Sequence, residues 1–203
     1  MRTLLCCFAL QATSGLQLAP TWSTVPRTPA RTIPCRMSAE EVISAAVSLS
    51  TFAPQPFWLL MIAAPHSPVT RKVMGSVAPI LGLALVHLAI VVISASQPDG
   101  TAPIAIFADV FDPSKSQLDG MRRLFEVSNF VAEEWPHVLI WDLFVGRAIW
   151  LDGIARGVPT WFSLTVCNGI GPPGLLFHIG ISLALGKGLP PMAGPALDVK
   201  ERE

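Results

Sequence analysis

Residues 137–153, HVLIWDLFVGRAIWLDG, place four ionisable side chains within an otherwise apolar segment: those of His137, Asp142, Arg147 and Asp152. Carboxyl and imidazole groups transfer protons, and a guanidinium group donates hydrogen bonds to anionic oxygen. At about 100° per residue of an α-helix, Asp142 and Arg147 point to well-separated sides, so each needs a partner on another helix, a ligand or water. Because ionisable residues within membrane spans usually face the interior, we expect both to face an internal polar cavity. The alternative is an interhelix ion pair that only fixes packing.

Three further positions in or beside this segment have predicted roles. Asp152 and Arg156 are spaced i,i+4 near a helix end, which predicts an ordinary surface salt bridge. Gly146 follows Asp142 by one helical turn on the same face, and its missing side chain would let a helix or a ligand approach the carboxylate. Trp141 lies deep in the segment and would either line a groove for a long apolar ligand or pack between helices.

The next apolar segment is interrupted by the sequence NGIGPPG. Pro172 and Pro173 remove backbone donors and clash with the carbonyl groups of Asn168 and Gly169 in a regular helix. An unwound segment at membrane depth is tolerated only when it is buried in protein or lines a cavity. Asn168, Gly171 and Pro172 are therefore predicted to form a pocket for hydroxyl groups, with a plain kink as the alternative.

The composition is that of an integral membrane protein. Hydrophobic residues make up 51% of the chain and charged residues 14%, against about 25% charged residues in soluble domains. Four apolar segments are long enough to cross a bilayer as helices, namely residues 42–64, 73–95, 137–156 and 161–185. We predict an all-α domain over residues 40–188 with about four transmembrane helices and a kinked fourth helix. A polar loop at 96–136 would carry one short amphipathic helix, and a mobile charged tail would cover residues 189–203.

Residues 1–39 have the composition of a plastid-targeting leader. They hold four Arg, no Lys and no acidic residue, with many Ser, Thr and Pro, and they begin with the short apolar run LLCCFAL. A signal-like core before a transit-like segment predicts a bipartite, disordered leader for a plastid enclosed by extra membranes. A single transit peptide or a plain disordered tail is the alternative. We expect the mature chain in a plastid (chloroplast) membrane, either thylakoid or envelope.

The sequence disfavours several other classes of function. The formal net charge of zero provides no basic surface for nucleic acid. The four histidines, at 66, 87, 137 and 178, form no closely spaced pairs, and Cys167 is the single cysteine outside the predicted leader. We therefore expect no metal site and no cofactor. A haem held between His87 and His178 is the alternative.

Three runs in the same order, FWLLMIAAP, HVLIWDLFVGRAIWLDG and GPPGLLFH, resemble the abscisic acid deficient 4-like family. These are plastid membrane proteins associated with neoxanthin synthesis. The resemblance covers residues 45–188, from which Pro173 and His178 depart in ways that would reshape a pocket. The residues that match the family pattern are Pro65, His137, Asp142, Gly146, Arg147, Asp152, Gly153, Gly171, Pro172 and Gly174.

The resemblance implies isomerisation of the epoxy-carotenoid violaxanthin to allenic neoxanthin or a related product. This reaction needs an acid near the epoxide oxygen and a base near the departing proton. Asp142 would be the acid or the base, and Arg147 would stabilise alkoxide charge. Asp152 or His137 would be the second proton-transfer group.

The implied partners are a xanthophyll substrate, the lipid bilayer, and a second copy of the chain or other carotenoid enzymes. Two other functions remain open at this point. One is a non-catalytic carotenoid-binding scaffold or assembly factor, and the other is a small proton-coupled transporter.

Overall fold

A computed structural model describes residues 39–191, within which all regular structure is α-helical. Residues 1–38 of the predicted leader and residues 192–203 of the predicted tail lie outside the described residues. The helices, in chain order, are α1 (Ala39–Phe52), α2 (Gln55–Ala63), α3 (Pro68–Met74), α4 (Ala78–Ala95), α5 (Ala102–Val110), α6 (Gln117–Phe125), α7 (Ser128–Arg156), α8 (Trp161–Ile170) and α9 (Pro173–Ala184).

The first apolar segment contains a break between two helices. α1 ends at Phe52, and Pro54 is the N-cap of α2, with Pro56 in the first turn. A proline in the first turn is tolerated because its missing N–H group would have had no helical partner. Together α1 and α2 form an apolar helical segment, Glu40–Ala63, that is long enough to cross a membrane.

The second apolar segment is shorter than predicted. The stretch HSPVTRK, which lies between the first two predicted segments, contains the start of α3. The Ser67 hydroxyl caps this helix by accepting the N–H of Val69. α4 then starts at Ala78 and is the second helix that could cross a membrane by length and composition. The all-helical prediction is confirmed, and two segments among the described residues meet this criterion for a span.

The polar stretch 96–136 contains more helix than predicted, since it holds α5, α6 and the first turns of α7. Lys115 and Arg123 both donate to the Asp109 carboxylate on α5, over 2.6 and 2.8 Å. The hydrogen bond from Lys115, and to a lesser extent that from Arg123, holds the pKa of Asp109 below its ordinary value. The hydrogen bond to Asp109 also raises the pKa of Lys115. The interaction ties α5 to the segment around α6.

α7 is the central helix and packs against α1, α2, α4, α6, α8 and α9. It begins at Ser128, well before the predicted start at His137, because Pro136 lies inside the helix without ending it. Its end at Arg156 agrees with the prediction. Gly157 follows with a φ of 66°, and its N–H group bonds to the carbonyl of Gly153.

The hydrophobic core lies where α2, α3, α4, α7 and α8 meet. Its buried side chains are Trp58, Met61, Met74, Ile80, Leu143, Ile149, Trp150, Leu164 and Cys167. This core surrounds the segment of α7 that carries Asp142 and Arg147, so the positions of both side chains are set by well-packed neighbours.

Candidate functional site

The Asp142 side chain lies against the break between α8 and α9. Gly171 occupies this break with φ 71° and ψ −126°, a conformation that residues with a Cβ avoid. A Cβ on Gly171 would lie 2.6 Å from Oδ1 of Asp142. The half-buried carboxylate therefore packs directly on the turn, and it has no hydrogen-bond or ion-pair partner among residues 39–191.

The break itself forms as predicted. α8 ends at Ile170, and α9 begins at Pro173 with Pro172 as its N-cap. Asn168 lies one turn before the break, and its half-buried amide likewise has no hydrogen-bond partner within the described part of the chain. The Cys167 thiol lies 3.6 Å from the backbone carbonyl of Asp142 and joins α8 to α7 at this level. The two unpartnered polar side chains are thus on neighbouring helices beside the same turn.

Arg147 binds a different part of the molecule. Its Nε–H group donates to the carbonyl of Met74 over 2.7 Å, and an Nη2–H group donates to the carbonyl of Gly75 over 2.8 Å. These carbonyls lie at the C-terminal end of α3, where a cation is favourable. Asp142 and Arg147 therefore have separate surroundings. The prediction that both face one polar cavity is corrected, because the partner of Arg147 is backbone.

A protein side chain packs directly against Gly146, so there is no open space beside it. A Cβ at this position would lie 2.3 Å from Cη2 of Trp58, a residue that is 2% exposed. One turn later, the buried Trp150 donates its indole N–H to the carbonyl of Pro65 over 3.1 Å. Gly146 therefore allows close packing between α2 and α7, and the ligand approach expected there is blocked by Trp58.

Asp152 belongs to a partly buried polar cluster and not to a surface salt bridge. Arg156 binds its carboxylate as predicted, and the Nε2 atom of His178 on α9 lies 2.6 Å from Oδ2 of the same carboxylate. Arg156 also donates to the Ser182 hydroxyl over 2.9 Å and to the Lys187 carbonyl over 3.1 Å. His178 is completely buried. The cluster fastens the end of α7 to α9 and to the segment that follows α9.

His137 and Trp141 lie on another face of α7, in an open groove between α4 and α7. This groove has a volume of about 210 Å³. It adjoins a second cavity of about 340 Å³, which α5 also lines, and His87 and His137 line both. The two imidazole rings stack with their centroids 6.0 Å apart, and Nδ1 of His137 lies 3.3 Å from a carboxylate oxygen of Glu134. Neither Asp142 nor Arg147 lines either cavity.

The predicted site residues thus fall into four separate places. Asp142, Asn168, Gly171 and Pro172 are beside the helix break, and His137 and Trp141 are in the groove. Gly146 with Arg147 packs against α2 and α3, and Asp152 packs against α9. Within residues 39–191, no three His, Cys, Asp or Glu side chains are arranged to hold a metal.

Sequence reasoning missed two partners that the structure supplies. His178 was noted as a departure from a family pattern, and a lone buried histidine gives no sign that its partner is Asp152. The stacking of His87 on His137 was also missed. The available signal was the position of His87, which is the single ionisable side chain within Ala78–Ala95.

Comparison of the sequence with known proteins identifies the family of this chain. A family model described as ABA DEFICIENT 4-like matches residues 45–178. The protein ABA DEFICIENT 4, chloroplastic, from Arabidopsis thaliana is 28% identical over 142 residues, which cover 70% of this chain and 62% of that protein. The chain therefore spans less than two thirds of that relative's length, and no solved structure matches it. Because the matched region includes Asp142, Gly171 and both histidines of the groove and exceeds half of the sequence, the chain belongs to the ABA DEFICIENT 4-like family.

Proposed function

We propose that this chain is a multi-pass plastid membrane protein of carotenoid synthesis. In this proposal it isomerises violaxanthin, or a related epoxy-xanthophyll, to an allenic product such as neoxanthin. Family membership and the chloroplastic Arabidopsis relative support this assignment. The α1–α2 segment and α4 would be the first two spans, α7 the third, and the broken α8–α9 segment the fourth.

The observation that carries the proposal is the free carboxyl group of Asp142 at the helix break. An ionisable group in a membrane span is costly and is usually retained for function. The two other charged side chains of this part of α7, those of Arg147 and Asp152, are occupied by protein partners. Asp142 is not, and it faces a turn whose glycine leaves room for its oxygens. It is therefore the group best placed to exchange a proton with a bound molecule.

The proposed reaction needs one proton donor and one proton acceptor, and a single carboxyl group can be both in turn. In its protonated form Asp142 donates to the epoxide oxygen as the ring carbon–oxygen bond breaks. The resulting carboxylate then accepts the proton that leaves the adjacent polyene carbon. The substrate and product have the same atoms, the allene replaces the epoxide, and the carboxyl group returns to its starting form. His137 lies about 140° around α7 from Asp142, which favours this single-residue shuttle over the expected pair.

Arg147 and Asp152 have positioning roles in this proposal. Arg147 holds α7 to the end of α3, and Asp152 holds α7 to α9 through His178. Both contacts set the depth at which Asp142 meets the turn at Gly171. Their replacement should lower activity through loss of folded protein, whereas replacement of Asp142 should lower activity at an unchanged protein level.

Expression in a host that accumulates violaxanthin tests the proposal, with pigments separated by chromatography. The wild-type chain should yield an allenic xanthophyll, and Asp142→Asn should yield none while inserting into membranes at the same level. Asp119→Asn, an exposed acidic residue on α6, is the matched control and should behave like the wild type. If Asp142→Asn and the wild type make equal amounts of allene, the assignment of Asp142 is wrong.

A non-catalytic carotenoid scaffold is the second candidate function. The groove between α4 and α7 favours it, because this groove is open and does not include Asp142. Protein purified in detergent distinguishes the two functions. Bound xanthophyll without any conversion, in the wild type as well as in Asp142→Asn, supports the scaffold and contradicts the isomerase.

A further inference from the structure

The groove between α4 and α7 has two walls with matching spacing. Ile80, Ala84 and His87 form one wall on α4, at positions i, i+4 and i+7. The facing wall on α7 holds His137, Trp141 and Phe144 at the same spacing, and Ile140 also lines this wall. Each wall is therefore one face of a helix, and the groove runs along both helices for roughly 10 Å. One end of it is apolar, and the other end holds two imidazoles.

Its apolar end is unusually aromatic and is not covered by the protein. Trp141 and Phe144 are 57% and 42% exposed, and their rings meet edge to face with centroids 5.7 Å apart. The ring of His137 continues this row, 6.4 Å from Trp141. A row of flat rings offers a large contact area to a long apolar molecule lying beside it.

The end of the groove that holds the two imidazoles contains a polar group left unsatisfied by the described residues, the ring of His87. His87 lies half-buried near the middle of α4, the most apolar helix that could cross a membrane. Its ring stacks on His137, yet neither of its nitrogens has a hydrogen-bond partner among residues 39–191. An imidazole without a partner is costly in an apolar environment. A neutral hydroxyl group at this point could accept from one ring nitrogen or donate to the other, depending on the tautomer.

From these features we infer that the α4–α7 groove, lined by the seven residues named above, binds a long apolar molecule that ends in a hydroxyl group. The hydroxyl group lies at His87 and His137, and the apolar chain lies along Trp141 and Phe144 toward Ile80. The choice of a hydroxylated carotenoid as this molecule rests on the proposed function. Asp142 does not line this groove. Pigment binding in the groove and conversion at Asp142 can therefore be tested separately.

Two pigments with the same carbon skeleton test the inference on purified protein in detergent. Zeaxanthin carries a hydroxyl group on each end ring, and β-carotene carries none. The readout is circular dichroism in the visible absorption band of the pigment, after subtraction of the spectrum of the same pigment in micelles without protein. The wild type should bind zeaxanthin about tenfold more tightly than β-carotene, the value of one well-placed hydrogen bond.

Three variants then locate the binding site. His87→Leu should weaken zeaxanthin binding about tenfold and leave β-carotene binding unchanged. Ala84→Trp should abolish the induced signal of both pigments by filling the apolar end. Leu85→Trp is its matched control, because Leu85 is on the same helix, is 67% exposed and does not line the groove. It should bind both pigments like the wild type.

Several results would overturn the inference. Unchanged zeaxanthin binding in Ala84→Trp would place the pigment elsewhere, and unchanged binding in His87→Leu would remove the role of the imidazole. Displacement of zeaxanthin by an equal concentration of glycerolipid would make the groove a lipid site. A change of oligomeric state in Ala84→Trp without a change in binding would make it a contact between copies. Asp142→Asn should bind zeaxanthin normally, so a failure of the isomerase proposal leaves this result intact.

Discussion

Replacing Gly171 by alanine tests whether the Asp142 carboxylate packs on the break between α8 and α9. The substitution has two separable costs. Holding alanine at φ 71° and ψ −126° costs about 1–3 kcal/mol. Overlap of the new Cβ with the carboxylate, which would lie 2.6 Å away, adds about 1–3 kcal/mol. We therefore expect the free energy of unfolding to fall by about 2–6 kcal/mol.

The two costs separate in a double-mutant cycle with Asp142→Ala. In that background the overlap is absent and the backbone strain remains, so Gly171→Ala should cost only about 1–3 kcal/mol. The four proteins can be compared by thermal unfolding in one detergent, where about 1 kcal/mol shifts the midpoint by about 2–4 °C for a chain of this length.

The neighbouring glycine supplies the matched control for this cycle. A Cβ on Gly169 would have nothing within 4 Å, and alanine is preferred over glycine inside a helix. Gly169→Ala should therefore leave the midpoint unchanged or raise it. Equal losses from Gly171→Ala in both backgrounds would show that the carboxylate does not lie against this turn, and the proposed site would lose its geometry.

Three other predictions follow from the packing. Gly146→Ala should lower the free energy of unfolding by about 1–3 kcal/mol, because the new Cβ meets the indole ring packed on α7; an unchanged thermal midpoint would contradict this packing. Asp152→Asn breaks a partly buried cluster and should cost about 3–5 kcal/mol, whereas Arg122→Gln removes an exposed pair and should cost under about 1 kcal/mol; similar midpoints for the two variants would refute the distinction. The pKa of Asp109 is lowered by its hydrogen bonds, so its contribution to stability is complete above its ordinary pKa of 3.8 and is lost as the pH falls through the lower value in the folded protein. Hydrogen exchange of α5 and α6, corrected for intrinsic rates, should therefore rise at low pH in the wild type and show no such step in Asp109→Asn.

The features predicted well from the sequence are those that depend on local backbone chemistry. Proline cannot donate a helical hydrogen bond, so the break at Pro172 could be predicted from residue types alone. Pro136 shows the limit of this rule, because α7 continues through it. The helix angle between Asp142 and Arg147 correctly excluded a bond between them within the described chain.

The partners of these side chains could not be predicted, since they come from distant parts of the chain. Arg147 binds backbone carbonyls at the end of α3. Every residue has a backbone carbonyl, so the sequence does not indicate which of them an arginine binds. The glycine at position 146 indicated that another group packs closely on α7, but residue type alone cannot distinguish an indole ring from a ligand. In this structure that group is the indole ring of Trp58. Asp152 looked like half of a surface pair because its second partner, His178, is on another helix.

The most direct test of the central claim uses purified protein in liposomes with violaxanthin as the sole pigment. If Asp142 transfers the protons, the wild type should convert violaxanthin to an allenic xanthophyll of the same mass, and Asp142→Asn should bind the pigment without converting it. Conversion by Asp142→Asn at the wild-type rate would contradict the account.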